Sequence, residues 1–149
     1  MVHDYAYHEP TLVMATKGTM ESEKFNLLFQ KYDNNKTYLL PCVGLGELIE
    51  NGNEEEVIKY LKTNIGRYKD KVKNVVLGCT HYPLIQNEIK NILGEVQFFN
   101  GAPNLAKHLK DILEENSLLG NGKGKIEFED SQNLEIKKKR FFEILKEET

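Results

Sequence analysis

Residues 72–94 read VKNVVLGCTHYPLIQNEIKNILG, and this stretch decides the fold. The run VKNVVLG is short and apolar, which predicts a buried strand. The residues after it predict a helix, because Pro83 suits the first helical turn and Gly94 suits the C-terminal cap. Cys79 therefore falls between the end of a strand and the start of a helix.

The same alternation of strand and helix continues on both sides of this stretch. Further strands are predicted at TLVMA, TYLLP, VQFF and KIEFE. Helices are predicted over about residues 20–32, in CVGLGELIENG, after the N-cap Asn53, in GAPNLAKHLKDILEENSLLG, and from Ser131 to the end. This order predicts an α/β fold, a doubly wound and mostly parallel sheet with helices on both faces.

The charge and the apolar runs limit the classes of function. Lys and Arg total 20 against 23 Asp and Glu, a net charge of −3, so there is no basic footprint for nucleic acid. No apolar run approaches the ~20 residues that span a bilayer, and the first ten residues contain no signal-peptide core. We expect a cytoplasmic protein with a small ligand and no membrane partner.

The candidate site lies where the predicted strand ends. Ligands of such sheets bind outside the carboxyl ends of the strands, where Cys79, Thr80 and His81 follow one another. A helix N-terminus beside them would favour a thiolate and a bound anion. His81 would then assist as a base or proton donor. The alternative reading is a small buried cysteine and a loop histidine, both structural.

Other patterns are typical of ordinary structure. Cys42, Cys79 and His81 do not make the four paired ligands of a zinc site, so no metal is expected. The glycines of GLG and GNGKG lack the spacing of a phosphate-binding loop. The KKKR run at 137–140 is typical of a solvated helix face. Apolar stripes near the C-terminus are typical of a core or of a domain interface.

The string LGCTHYPL, residues 77–84, resembles the second catalytic-cysteine motif of glutamate racemases, in the aspartate/glutamate racemase superfamily. ATKGT, PCVGLGELIENG and FEDSQNLEIKKKRFFEIL also resemble the second half of that family. The family's DSG-type turn and its Cys-Asn-Thr string are absent here. The resemblance therefore implies the C-terminal half of a two-lobed fold, whose partner is the N-terminal half of the same enzyme.

The resemblance also implies roles for individual residues. Cys79 would be one of two acid/base cysteines that interconvert L-glutamate and D-glutamate for peptidoglycan synthesis without a cofactor, and it would deprotonate L-glutamate. His81 would assist it, as the second catalytic residue of this half. Thr80, Thr16 and Thr19 would bind the substrate. A single base returns the proton to the face it came from, so inversion needs an acid on the opposite face.

The resemblance divides the chain into three regions and leaves some alternatives open. Residues 1–10 would be an arm or boundary, 11–99 the second lobe, and 100–149 a strand and helices crossing back toward the first lobe. Cys42 would be structural, and Glu50 an outer contact of the site. A non-catalytic ligand-binding fragment, a racemase for aspartate or another amino acid, and a homodimer all stay open.

Overall fold

The computed structural model is described for residues 8–32, 35–122, 124–131 and 135–147. Within these residues a parallel sheet of four strands forms, in the spatial order β2-β1-β3-β4. The strands are β1 (Thr11–Ala15), β2 (Thr37–Pro41), β3 (Asn74–Gly78) and β4 (Gln97–Phe99). The predicted strands at TLVMA, TYLLP and VKNVVLG are confirmed, and so is the one at VQFF.

Helices connect and follow these strands. They are α1 (Lys17–Glu21), α2 (Glu23–Tyr32), α3 (Leu45–Glu50), α4 (Glu54–Ile65), α5 (Gln86–Leu93), α6 (Ala102–Glu115) and α7 (Glu135–Glu147). Two 3₁₀ helices, Gly66–Tyr68 and Tyr82–Ile85, lie among them. The predicted α/β fold is therefore confirmed. By the right-handed rule for parallel strands, the β1–β2 connection is expected on one face of this sheet and the later connections on the other.

Side-chain and glycine caps set several helix ends where the sequence predicts them. The Asn53 side chain accepts a hydrogen bond from the Glu56 amide at 3.3 Å and so caps α4. Gly94 ends α5 with a positive φ of 88°, which favours glycine. The helix predicted from about Met20 is divided in two, because Ser22 is extended and its hydroxyl accepts from the Phe25 amide.

The main core lies on one face of the sheet. Alternation along β1 and β3 turns Leu12, Met14, Val75 and Leu77 to that face, where all four are buried. The helices that cover them contribute a further seven residues of the buried apolar cluster: Leu45, Ile49, Val57, Leu61, Ile65, Ile89 and Leu93. This packing positions α3 and the 3₁₀ helix Tyr82–Ile85 at the edge of the sheet.

The C-terminal residues differ from the prediction. The chain divides into two compact units, one ending at Lys107 and one beginning at His108. The strand predicted at KIEFE is wrong, because residues 124–130 form no regular secondary structure. The predicted start of the last helix at Ser131 is followed by residues 132–134, which lie outside the described residues. In the second unit the Phe128 and Phe141 rings pack at 5.2 Å between centroids.

A helix that crosses a membrane must be both long and apolar. Among the residues that the structure describes, no helix meets both requirements.

Among the glycines, Gly78, the last residue of β3, has the least room for a side chain. A Cβ atom there would lie 2.9 Å from the Ala15 Cβ and 3.0 Å from the Met14 carbonyl oxygen. We expect Gly78→Ala to lower the free energy of unfolding by about 1–3 kcal/mol, because neither neighbouring atom is the end of a flexible side chain. Urea unfolding of the variant and the parent measures this loss.

The matched control is Gly66→Ala. A Cβ at Gly66 meets nothing within 4 Å, and its φ of −53° suits alanine. This control should leave the unfolding free energy within about 1 kcal/mol of the parent or raise it slightly. Equal losses of unfolding free energy in the two variants would show that the close contact at Gly78 is not the cause of its loss.

Candidate active site

The candidate site lies at the carboxyl edge of the sheet. Ala15, Pro41 and Gly78 are in register, as the last residues of β1, β2 and β3. The residues that follow them are Thr16, Cys42 and Cys79, so these three leave neighbouring strands at one edge. The Cys42 amide still donates to the Ala15 carbonyl at 2.8 Å, which extends the pairing by one residue.

Three side chains at this edge form a chain of contacts. The Cys79 Sγ lies 3.7 Å from the His81 Nδ1, and the His81 Nε2 lies 3.0 Å from the Glu50 Oε2. An ionised carboxylate only accepts hydrogen bonds, so the neutral tautomer that bonds to Glu50 carries its proton on Nε2. In that tautomer Nδ1 is the acceptor for the Cys79 proton. This is the order of thiol, base and orienting carboxylate that activates nucleophiles and bases in enzymes.

The chain of contacts is open to solvent at one end. Cys79 is half-buried and packs against the apolar cluster. The side chains of His81 and Glu50 are 36% and 54% exposed. The half-buried thiol therefore lies beside two side chains that face solvent.

Glu50 is the residue of this group that the sequence identified least clearly. It is the last residue of α3, and Gly44, with a φ of 78°, begins that helix after β2. Gly46 faces the histidine, since a Cβ there would come within 3.9 Å of the His81 Nδ1. Glu50 and His81 are 31 residues apart in sequence. The sequence indicated Glu50 in two ways: the resemblance implied an outer contact of the site, and the helical prediction for CVGLGELIENG placed this residue near a helix end.

Cys42 has different surroundings. Its side chain is 2% exposed, and its thiol donates to the Leu40 carbonyl at 3.4 Å. Burial raises the pKa of Cys42 from 9.0 to about 11, and the neighbouring Cys79 acts in the same direction. Hydrogen bonds from its neighbours offset only part of this shift. Cys42 is therefore a protonated core residue at neutral pH, which agrees with its expected structural role.

Thr16, Thr19 and Thr80, the predicted substrate-binding residues, are exposed and lie at or near the same edge. The Thr16 hydroxyl caps α1 by accepting from the Thr19 amide at 3.2 Å, and the two hydroxyls lie 2.9 Å apart. Thr80 is exposed between Cys79 and His81. All three residues are exposed, although the Thr16 and Thr19 hydroxyls contact each other, and their substrate-binding roles stay predictions.

The helix expected directly after Cys79 begins later than predicted. The Tyr82 amide donates to the Cys79 carbonyl at 3.2 Å and the Leu84 amide to the His81 carbonyl at 3.1 Å. These bonds span three residues and make a 3₁₀ helix, Tyr82–Ile85, that includes Pro83. Helix α5 starts only at Gln86. The neighbour that can interact with the Cys79 thiol is therefore His81 and not the N-terminus of α5.

Acidic, histidine and cysteine side chains could in principle also hold a metal. Across the described ranges, no group of three or more such residues has the geometry to do so.

Curated proteins match the chain along most of its length. The glutamate racemase of Clostridium perfringens (strain SM101 / Type A) is 40% identical over 139 residues, covering 86% of this chain and 54% of that protein. Glutamate racemase 2 of Bacillus subtilis (strain 168) is 36% identical, covering 91% of this chain and 56% of that protein. The chain thus spans about half the length of the curated relatives it matches. No protein-family model matches it.

Solved structures show the same relationship. The glutamate racemase of Francisella tularensis, in complex with D-glutamate, is 31% identical with a TM-score of 0.63. This match covers 83% of this chain and 48% of that one. The Escherichia coli glutamate racemase, in complex with L-glutamate and the activator UDP-MurNAc-ala, is 28% identical with a TM-score of 0.59. The predicted likeness to one lobe of a racemase fold is therefore confirmed.

The raised pKa of Cys42 predicts how stability depends on pH. The folded chain keeps this proton up to about pH 11, whereas the unfolded chain loses it near 9.0, so its contribution is complete below pH 9 and is lost as pH rises toward 11. We expect the free energy of unfolding to fall more steeply over that interval in the parent than in Cys42→Ala. Urea unfolding at several pH values measures both slopes, and parallel curves would contradict the assignment.

Proposed function

We propose that this chain, which is homologous to about half of a glutamate racemase, supplies one half of a site that interconverts L-glutamate and D-glutamate. The observation that carries the proposal is the Cys79–His81–Glu50 contact at the carboxyl edge of the sheet. Homology to proteins named glutamate racemase supports glutamate as the substrate. The second half of the site would come from the part of such an enzyme that this chain does not cover.

The reaction begins with proton transfers that the described residues can perform. The Cys79 thiol gives its proton to the His81 Nδ1, 3.7 Å away, and becomes a thiolate. The Glu50 carboxylate, 3.0 Å from Nε2, stabilises the positive charge that His81 gains. The thiolate then removes the Cα proton of L-glutamate, and the electron pair of that C–H bond moves into the α-carboxylate.

Inversion requires a proton from the opposite side. A second cysteine on the other half would give its proton to the other face of Cα and leave D-glutamate. In the reverse direction the two thiols exchange roles. Acid and base are both supplied by side chains, so this scheme uses no cofactor.

Exposed hydroxyls near Cys79 are suited to hold the substrate. Thr80 adjoins the thiol, and Thr16 begins the segment that leaves the neighbouring strand β1. Hydroxyl donors from Thr80, Thr16 and Thr19 would bind the substrate carboxylates, whose charge would otherwise be left poorly solvated once the second half covers the site. The D-glutamate product would supply peptidoglycan synthesis in the cytoplasm.

The direct test uses a fusion of the uncovered part of the Clostridium perfringens relative, placed ahead of this chain. We expect the fusion to racemise L-glutamate, as followed by circular dichroism. Cys79→Ala should abolish the activity, because one of the two acid/base groups is lost. Cys42→Ala is the matched control and should keep at least about half of it, since burial keeps that thiol protonated.

The outcomes separate the proposal from its rivals. A folded fusion that binds glutamate without inverting it would favour a ligand-binding fragment. Faster turnover of aspartate than of glutamate would change the substrate. Equal activity in Cys79→Ala and in the parent would exclude the proposed base.

Glu50 has a distinct predicted effect. Glu50→Gln keeps the size of the side chain but removes the charge that stabilises protonated His81. We expect kcat to fall roughly 10- to 100-fold with a smaller change in KM, as for the loss of a hydrogen bond to a charged group. Steady-state kinetics of the fusion measures the two constants.

Glu47→Gln is the control for charge on the same helix. Glu47 lies in the first turn of α3 and is exposed. Its substitution should change kcat less than about twofold, the usual range for surface positions. Equal effects of the two substitutions would mean that Glu50 acts only through the general field of the helix.

A further inference from the structure

Tyr82 is a buried side chain that the proposed chemistry does not use. It is among the largest fully buried side chains, with a relative exposure of 0%. Its hydroxyl donates to the Cys42 carbonyl at 3.3 Å, across 40 residues of sequence. A phenylalanine would fill the same apolar space, so what the tyrosine adds is the hydrogen bond of its hydroxyl.

The hydroxyl closes a circuit of contacts around the site. The Tyr82 amide donates to the Cys79 carbonyl, and the Cys42 amide donates to the Ala15 carbonyl. Ala15 pairs in turn with Gly78, the residue before Cys79. Cys79 and His81 therefore lie between two anchors, the Gly78 contact on one side and Tyr82 on the other.

The same hydroxyl also acts on the carboxylate. Cys42 is followed after two residues by α3, whose last residue is Glu50. Tyr82 directly follows His81 in sequence. The bond from Tyr82 to Cys42 therefore joins the segment that carries the histidine to the segment that carries its carboxylate partner.

We propose that Tyr82 is a positioning residue, whose hydroxyl sets the distance between His81 and Glu50 and thereby the alignment of His81 with Cys79. This inference rests on the proposed function, in which Cys79 gives its proton to His81. The donor is available throughout the working range, because burial raises the pKa of Tyr82 well above its usual value. Loss of the hydroxyl would let the two segments move apart without removing any group from the chain of proton transfer.

The test measures the reactivity of Cys79 in the 149-residue chain itself. Iodoacetamide alkylation is followed from pH 6 to 9 by peptide mass spectrometry, which separates Cys79 from the buried Cys42. We expect Tyr82→Phe to lower the rate at Cys79 near pH 7 about three- to tenfold, the range of one hydrogen bond. It should also change the shape of the pH profile toward that of His81→Gln.

Two comparisons distinguish positioning from general loss of structure. In a His81→Gln background, Tyr82→Phe should change the alkylation rate less than about twofold, because the residue it positions is gone. Tyr68→Phe removes another buried tyrosine hydroxyl, one that contacts Arg67 at 2.9 Å, and should leave the profile unchanged. Urea unfolding of each variant shows whether the stability losses are matched.

A measurement on the parent chain needs no substitution. If the hydroxyl joins the two segments, the Cys42 and Tyr82 amides should open together, so each exchange rate divided by its intrinsic rate should give a similar protection factor. Protection of Tyr82 more than about tenfold weaker than that of Cys42 would overturn the inference, as would an unchanged alkylation profile in Tyr82→Phe beside a changed one in His81→Gln. The proposed racemase reaction would survive both results, since it is judged by the inversion of glutamate.

Discussion

The contact between Gly78 and Ala15 is the constraint on which the rest of the site depends. β1 and β3 end side by side at Ala15 and Gly78, so close that there is no room for a Cβ at Gly78, and their next residues leave the sheet at one edge. The main-chain bond from Cys42 to Ala15 brings the end of β2 to the same place. Backbone geometry thus gathers residues from three separate stretches of the chain before any side chain has a chemical role.

The two cysteines show how surroundings divide one chemical group between two purposes. Cys42 is enclosed by the core, and burial raises its pKa to about 11, so it serves as packing. Cys79 is half-buried and has a histidine as its neighbour, with a carboxylate behind that histidine. A base near neutral pH needs such a partner, because an ordinary thiol is mostly protonated there.

Much of the fold could be predicted because it depends on local signals. Strand-length apolar runs, the Asn53 cap and the Gly94 end each specify their own element. The prediction of a strand at KIEFE was wrong, because an alternating pattern does not by itself supply a neighbouring strand that would pair with it by hydrogen bonds. The late start of α5 was not predicted, because the apolar pattern does not distinguish the three-residue hydrogen bonds of this turn from the four-residue bonds of an α-helix.

Part of the site could also be predicted from the sequence, and part could not. The cysteine, threonine and histidine stand together in sequence, and their strand-end position follows from the fold class. The link from His81 to Glu50 depends instead on how α3 packs, and a single sequence does not encode such a distance in any local pattern. The same holds for the bond from Tyr82 to the Cys42 carbonyl.

The most direct measurement of the central claim follows the Cα hydrogen of L-glutamate in D₂O, with the fusion as catalyst and NMR as the readout. If Cys79 removes the proton and a second group on the opposite face replaces it, the first D-glutamate formed will carry deuterium while the remaining L-glutamate keeps its hydrogen. Deuterium that enters L-glutamate without inversion, or that still enters D-glutamate in Cys79→Ala, would contradict the account.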